Sequence, residues 1–263
     1  MVTSQQGMPG VSWLARLRRR LRLAYALVSA GVPVFWALRF QPTRPQPLPP
    51  SFDVFDGKAW DEFWRKQLNE HSPPLTLYHF EEPVRTVLAR MRADGARSVL
   101  SVGCGICLDA RAFAAAGYSV TGLDVSPVAL KYARESSLPA DLVSHFLDAS
   151  ELRPGGTVEF VQGDLFEPTC CRGPYDVVLC RDTIQYFEYA GRLPTALEAV
   201  SARLASGGLL VLTSHGMVSA FYSIDDWLKA NGFRLVNNFY AEPTELFREH
   251  PAELVAWHTR STG

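Results

Sequence analysis

SVLSVGCGICLDARAFAAAGYSVTGLD, residues 98–124, is the stretch on which the fold turns. Ser98–Val102 is apolar and β-branched enough for a buried strand. Gly103-Cys104-Gly105 breaks it, and Leu108–Ala116 then carries a helical pattern. A second short strand, Ser119–Leu123, ends on an acid, Asp124. This is a β-turn-α-β unit in which glycines let the backbone approach a ligand and the helix N-terminus faces it. An acid about 20 residues past the glycines is placed to accept hydrogen bonds from ribose hydroxyls. The stretch predicts a site for a nucleoside-containing cofactor.

A dinucleotide site wants G-x-G-x-x-G, and here the last position is Leu108. The third glycine lets helix and strand pack closely, so a bulky Leu argues against NAD or FAD. The stretch resembles instead motif I of the class I S-adenosylmethionine-dependent methyltransferases, roughly V-L-x-V-G-C-G-x-G. The continuation A-x-x-G-x-x-V-x-G-x-D-x-S-x-x-A-L matches Ala114–Leu130, AAAGYSVTGLDVSPVAL. Two positions depart from that pattern. Ser101 stands where an acid is usual before the first Gly, and Cys107 where a third Gly is usual. The first change removes a carboxylate that commonly steadies the methionine amino group. The second puts a side chain where the backbone normally comes closest.

A chain of 263 residues holds one α/β domain of about 200 residues plus appendages. The formal net charge of −1 hides an asymmetry. Residues 1–50 contain seven Arg, no Lys and no acid, which leaves 19 basic against 27 acidic residues in the remainder. A net of −8 there matches nucleic-acid phosphates poorly and favours a small-molecule acceptor. The five cysteines, 104, 107, 170, 171 and 180, are odd in number, and two lie inside the glycine turn. That argues against a disulfide framework and for a reducing compartment, the cytoplasm. No metal site is expected: a C-x-x-C zinc pair needs a partner pair of like spacing, and Cys170-Cys171 is not one.

Towards the N-terminus, Trp13, Leu17, Leu21, Ala24, Tyr25 and Val28 fall on one helical face, with Arg16, Arg18, Arg19, Arg20 and Arg22 filling most of the rest. A basic amphipathic helix of this kind reads as membrane-surface binding through residues 13–40. Leu23–Leu38 is then free of charge for 16 residues, a helix of about 24 Å against a hydrocarbon core of about 30 Å. Four readings of this arm stand at this point: a cap on the domain, contact with a membrane surface, a span aided by snorkelling arginines, and a cleaved signal peptide. Gln41–Pro50 has five prolines in ten residues, a stiff extended connector. The expected division is therefore a basic arm and linker over 1–50, a helical lid or lead-in over 51–95, and the cofactor domain over 96–263.

In the lead-in, Trp60, Phe63, Trp64 and Gln67 share a face of a helix over Trp60–Glu70. Ordinary packing accounts for most of these aromatics; a lid over cofactor and substrate is the functional alternative. A helix over Leu75–Arg92 leads to the glycine turn. Beyond Asp124, the sequence predicts a helix over Pro127–Glu135 capped by Ser126, strands over Thr157–Gln162 and Tyr175–Cys180, and a helix over Arg192–Leu204. Gly207-Gly208 then turns into a strand over Leu209–Thr213, followed by a helix over Ile224–Ala230 and strands over Phe233–Phe239 and Glu253–His258. The expected fold is α/β: a doubly wound, seven-stranded, mostly parallel sheet closing on an antiparallel strand-six/strand-seven hairpin, with an N-terminal helical arm.

Ligands of open α/β sheets sit at the carboxyl ends of the strands, near the point where strand order reverses. Those ends are Gly103, Gly105, Asp124, Asp164, Arg181-Asp182 and His215. The resemblance implies roles for them. Gly103, Cys104 and Gly105 would line the cofactor; Asp124 would take its ribose hydroxyls, and Val125 would pack on adenine. Asp164 would accept from the adenine amino group with backbone help from Leu165, and Cys180-Arg181-Asp182 would line the methionine end. As bland alternatives, Asp124 and Asp164 cap loops, Asp182 caps a turn, and His215 lies on the surface. Asp182 and His215 are the candidate catalytic groups, and Trp60, Trp64, Tyr78, His79 and Tyr186 the candidate substrate or lid residues. The turn Arg181-Asp182-Thr183-Ile184 lacks the N-P-P-[YF] form of amino-methylating nucleic-acid enzymes. Methyl transfer from S-adenosylmethionine to a small organic O, N or S acceptor is the leading reading. A non-catalytic cofactor-binding protein and an NAD-dependent oxidoreductase are the alternatives.

Overall fold

Ser98–Val102 forms β1, with all but its first residue buried. The chain's order of elements around it follows the sequence's own alternation of period. A helix, α1, spans Gly57–Glu70 before it. After it come α2 (Leu108–Ala115), β2 (Ser119–Asp124), α3 (Pro127–Glu135), β3 (Thr157–Gln162) and β4 (Tyr175–Arg181). Then follow α4 (Ile184–Tyr189), α5 (Leu193–Ala202), β5 (Leu204–Ser214), β6 (Phe233–Ala241) and β7 (Glu253–Arg260). This is a computed structural model that describes residues 53, 56–70, 87–89, 91–92, 95–135, 147, 149–181, 183–214, 224, 226–241 and 253–260. The chain divides into Met1–Gln41 and Pro42–Gly263, and every described residue falls in the second unit. The expectations for the arm and linker over 1–50 lie outside the described residues. Of the helix expected over Leu75–Arg92, the described residues 87–89 and 91–92 are helical, and Val87, Leu88 and Met91 are buried.

The fold is α/β with a mainly parallel sheet, ordered β3-β2-β1-β4-β5-β7-β6 among the described residues. Neighbours from β3 to β5 run parallel. The chain builds outward from β1 through β2 to β3, then returns to the other side of β1 for β4. In open α/β sheets such a reversal marks the ligand crevice, here at the carboxyl ends of β1 and β4. At the opposite ends the two strands are pinned together. The Asp176 carboxylate accepts the Arg97 and Ser98 N–H groups at 2.7 and 2.9 Å and the Ser98 hydroxyl at 3.0 Å.

Leu100, Val102, Leu123, Val178, Cys180, Leu210 and Leu212 form one core with Ile184, Phe187 and Leu197 of α4 and α5. Successive strand residues point to opposite faces, and the intervening Val99, Val177, Leu179, Leu209 and Val211 are buried too. Both faces of the central strands are therefore covered, which is why they read as unbroken apolar runs.

Three details differ from the sequence reading. α4 was not expected: IQYFEY offers no cap signal, and Thr183 at its N-cap makes no side-chain cap bond. β5 begins at Leu204 rather than after Gly207-Gly208. Tyr175 pairs with Leu204 and Val177 with Leu209, so residues 205–208 form a bulge. A Cβ at Gly208 would stand 2.9 Å from the Ala205 and Asp176 carbonyl oxygens, so glycine is required there. Finally, the expected strand-six/strand-seven hairpin is present, but its second strand, β7, is the one inserted beside β5, antiparallel to it, so β6 is the edge among the described residues.

Candidate active site

The site is built from the turn after β1. Gly103 and Gly105 take positive φ, 61° and 54°, which L side chains adopt at a cost of about 1–2 kcal/mol. Both are also closely overlaid. A Cβ on Gly103 would come within 2.4 Å of Thr183 Oγ1, and one on Gly105 within 2.5 Å of the Trp64 ring. Cys107, the N-cap of α2, takes φ 60° as well, the conformation the usual glycine would hold without strain.

Asp124 closes β2 beside that turn. Its Oδ2 accepts the Gly105 N–H at 2.7 Å and its Oδ1 the Ser126 N–H at 2.9 Å. The carboxyl is 8% exposed, and burial pushes it up to about 6. Backbone bonds from Ser126, Gly105 and Val125 pull the other way, and the charge of Asp61 adds to the rise. A carboxylate offers about four acceptor positions, and the backbone N–H groups of Gly105, Ser126 and Val125 do not use all of them. An ionised carboxyl with acceptor capacity left beside the turn fits a hydroxyl-bearing sugar such as ribose.

One strand further out, Asp164 follows Gln162, the cross-strand partner of Asp124. Its Oδ1 accepts the Phe166 N–H at 2.9 Å, so the loop-capping arrangement is present at this acid. Leu165 is buried in the core, whereas Val125 is half-buried. Arg181 ends β4 on the other side of the crevice, and its Nη1 is buried without a hydrogen-bond partner. An unpaired guanidinium nitrogen at that place suits an anionic group such as the carboxylate of a bound amino acid. Asp182, His215, Tyr78 and His79 lie outside the described residues.

α1 crosses this arrangement. At its start, a Cβ on Gly57 would touch the Val125 carbonyl at 3.3 Å. In its middle Trp64, 9% exposed, lies against Gly105. Trp60 meets Tyr186 of α4 edge to face, with ring centroids 5.0 Å apart, and Phe63 packs against both tryptophans at 5.5 and 5.4 Å. The helix thus lies against the end of β2 through Gly57, against α4 through Trp60 and against the glycine turn through Trp64. Of the candidate substrate or lid residues, Trp60, Trp64 and Tyr186 are brought together, linked by ring contacts through Trp60 and Phe63.

Two residues that hold this arrangement were not anticipated. Asp61, buried on α1, accepts the Ser126 hydroxyl at 2.6 Å and the Val128 N–H at 3.2 Å through Oδ1. Ser126 in turn accepts the Ala129 N–H at 3.1 Å, the cap the sequence predicts for α3. The only sequence sign of Asp61 is an acid on the flank of an aromatic helix face, three residues before Trp64. Thr183 donates from Oγ1 to backbone carbonyls of Val102, Gly103 and Arg181 at 3.2, 3.4 and 3.0 Å, tying α4 to the turn. These three contacts are alternatives for one hydroxyl proton.

A glycine turn, a buried acid closing the next strand and a helix packed over the turn, at the strand-order reversal of an α/β sheet, are the features of a nucleoside-cofactor site. Its relatives specify which cofactor chemistry this is. Residues 76–251 match the family described as "Methyltransferase domain". The ubiquinone biosynthesis O-methyltransferase of Xanthomonas oryzae pv. oryzae (strain PXO99A) is 30% identical over 189 residues, covering 70% of each chain. The enzyme of that name from Haemophilus ducreyi is 26% identical over 183 residues, covering 68% of this chain and 71% of its own. Among solved structures, the N-methyltransferase NodS from Bradyrhizobium japonicum, in complex with S-adenosyl-L-homocysteine, aligns with a TM-score of 0.55. It shares 17% identity, covering 77% of this chain and 98% of NodS. Magnesium protoporphyrin IX methyltransferase from Synechocystis, with bound S-adenosylmethionine, aligns at TM-score 0.52 and 19% identity over 83% and 100%. At these identities the two structures attest the fold alone.

The chain belongs to the methyltransferase domain family. It is an S-adenosylmethionine-dependent methyltransferase, and that membership displaces the oxidoreductase and non-catalytic readings.

Proposed function

We propose that this enzyme methylates a small aromatic acceptor, through a hydroxyl, beneath the lid that α1 forms. The observation that carries the proposal is the edge-to-face contact of Trp60 with Tyr186, which puts an aromatic wall beside the crevice between β1 and β4. Flat apolar rings are well matched by such walls. The Xanthomonas and Haemophilus relatives are named for O-methylation in ubiquinone biosynthesis, which supports the same acceptor class.

S-adenosylmethionine supplies a methyl carbon on a sulfonium leaving group. The protein's part is to hold and align the partners and exclude water. Gly103, Cys104 and Gly105 give the backbone approach, Asp124 takes the ribose hydroxyls, and Val125, Asp164 and Leu165 bound the adenine. Arg181 Nη1 receives the methionine carboxylate. A hydroxyl acceptor loses its proton as the methyl arrives, and Asp182 and His215, at the ends of the fourth and fifth strands, are the proposed bases. Tyr78 and His79 are proposed to extend the lid from 51–95. The test is transfer of radiolabelled methyl from S-adenosylmethionine to a panel of catechols, aryl amines and thiols. Label entering a catechol oxygen is the expected result; label entering only amines or thiols overturns the acceptor assignment.

Asp61 sets how well the lid closes. Asp61→Ala is expected to raise the KM for S-adenosylmethionine several-fold and to lower the melting temperature, because Ser126 and Val128 lose a shared acceptor at about 1–3 kcal/mol. Asp61→Asn, which keeps one acceptor oxygen, should recover part of both. Equal KM in wild type and Asp61→Ala counts against the tether.

The acidic domain over 96–263 and the basic pattern of 13–40 suggest an enzyme working at an anionic membrane surface from the cytoplasmic side, without a nucleic-acid partner. Among the described residues no helix is long and apolar enough to cross a membrane. The full chain is expected to co-sediment with anionic vesicles and less with neutral ones, each arginine near the surface contributing about 1 kcal/mol. Removal of 1–50 should abolish that difference. A full chain that ignores both vesicle types refutes the surface role.

A further inference from the structure

The cysteines of the glycine turn are not used by the proposed chemistry, yet the fold pairs them. Cys104 Sγ and Cys107 Sγ are 2.7 Å apart, both as free thiols. They share a notch that exists because position 122 of β2 is glycine: a Cβ there would lie 3.0 Å from one sulfur and 3.1 Å from the other. Cys107 is wholly buried at the head of α2, and Cys104, the less buried residue of the two, is the one the thiol exchange below begins from. The C-x-x-C spacing and the close sulfurs need an approach of less than about 1 Å to reach disulfide length.

We infer that Cys104 and Cys107 are a dithiol–disulfide site built into the cofactor turn, whose oxidised form binds cofactor more weakly. The second half rests on the cofactor reading above. Exchange with a low-molecular-weight disulfide balances the step. The Cys104 thiolate attacks one sulfur of the reagent and expels a thiolate. The deprotonated Cys107 then displaces the second thiolate from the mixed disulfide. The protein loses two electrons and two protons, and the reagent becomes two thiols. Burial raises both cysteine thiols, so exchange is slow at neutral pH and equilibration must be long. Gly105 lies between the two cysteines, with its N–H on Asp124 and its Cα against Trp64. Drawing its neighbours together moves this residue away from the geometry that holds the cofactor.

The experiment equilibrates the full chain in glutathione buffers of graded ratio at about pH 8, then blocks free thiols and maps disulfides by mass spectrometry. A Cys104–Cys107 bond, reversed by dithiothreitol, is expected, with S-adenosylhomocysteine affinity about tenfold lower in the oxidised form. By reciprocity, saturating S-adenosylhomocysteine should shift the half-oxidation ratio about tenfold toward oxidised glutathione. Cys104→Ser, and independently Cys107→Ala, should remove the buffer dependence of affinity. A map that lacks the 104–107 bond at every ratio overturns the inference. Equal affinity in the reduced and oxidised forms overturns its second half. A reduced protein that binds no S-adenosylhomocysteine counts against the cofactor reading, and the map still decides the disulfide.

Discussion

Asp124→Ala is expected to weaken S-adenosylhomocysteine binding by about 1–3 kcal/mol, through loss of charge-assisted bonds to the ribose. It also strips the Gly105 and Ser126 N–H groups of their acceptor, so the turn loosens before any ligand arrives. Asp124→Asn keeps one acceptor oxygen and should do less harm. The same carboxyl predicts two opposed pH dependences. Its value in the folded protein, about 6, lies above the usual 3.8, chiefly because burial disfavours the charge. The neutral form is thus the easier one to bury, and the contribution of this group to stability is fully present below about 3.8. It is lost as pH rises through about 6, roughly 3 kcal/mol in all. Ribose hydroxyls donate to the ionised form, so cofactor affinity runs the other way and falls as pH drops through about 6, by up to about tenfold per pH unit. Calorimetric titrations between about pH 5 and 8 check this. A pH-independent affinity, or an Asp124→Ala variant that binds normally, removes Asp124 from the site.

Gly105→Ala carries the second large effect. The added methyl meets the Trp64 ring at 2.5 Å, and the backbone must hold φ 54° with a side chain. The strain alone is worth about 1–2 kcal/mol, and displacement of a buried indole adds to it. Cofactor binding should fall at least tenfold and the melting point with it. Trp64→Ala in the same chain gives the methyl room and leaves only the strain. The double variant should therefore lose less than the sum of the two single changes, by about 1 kcal/mol or more. Strict additivity would mean that Trp64 does not rest on the turn in solution.

Much of this site is legible before any coordinates. The glycine turn, Asp124 and the Ser126 cap each follow from a local rule: positive φ, a strand ending in an acid, a hydroxyl before a helix. Each concerns residues close in sequence. What the sequence did not disclose are bonds between distant segments. Asp61 is 65 residues from Ser126, and Thr183 is 80 from Gly103, and no periodicity connects either pair. α4 was missed for a related reason: four of its six residues are aromatic or β-branched and favour strand by propensity, and packing of Ile184 and Phe187 into the core overrides that preference. Strand existence was read well, because buried parallel strands are unbroken apolar runs. Strand order within the last three elements depends on which edges meet, which composition does not encode.

The insertion of β7 between β5 and β6 has a consequence during synthesis. β6 leaves the ribosome before β7, which is its strand neighbour among the described residues and follows only at 253–260. Until then β5 also presents an unpaired edge, and both open ladders are surfaces on which nascent chains associate. The cofactor turn, by contrast, is complete once β4 and α4 have emerged. The half of the domain that carries the glycine turn can thus assemble while the other half still waits, and the far edge of the sheet is the last to be closed.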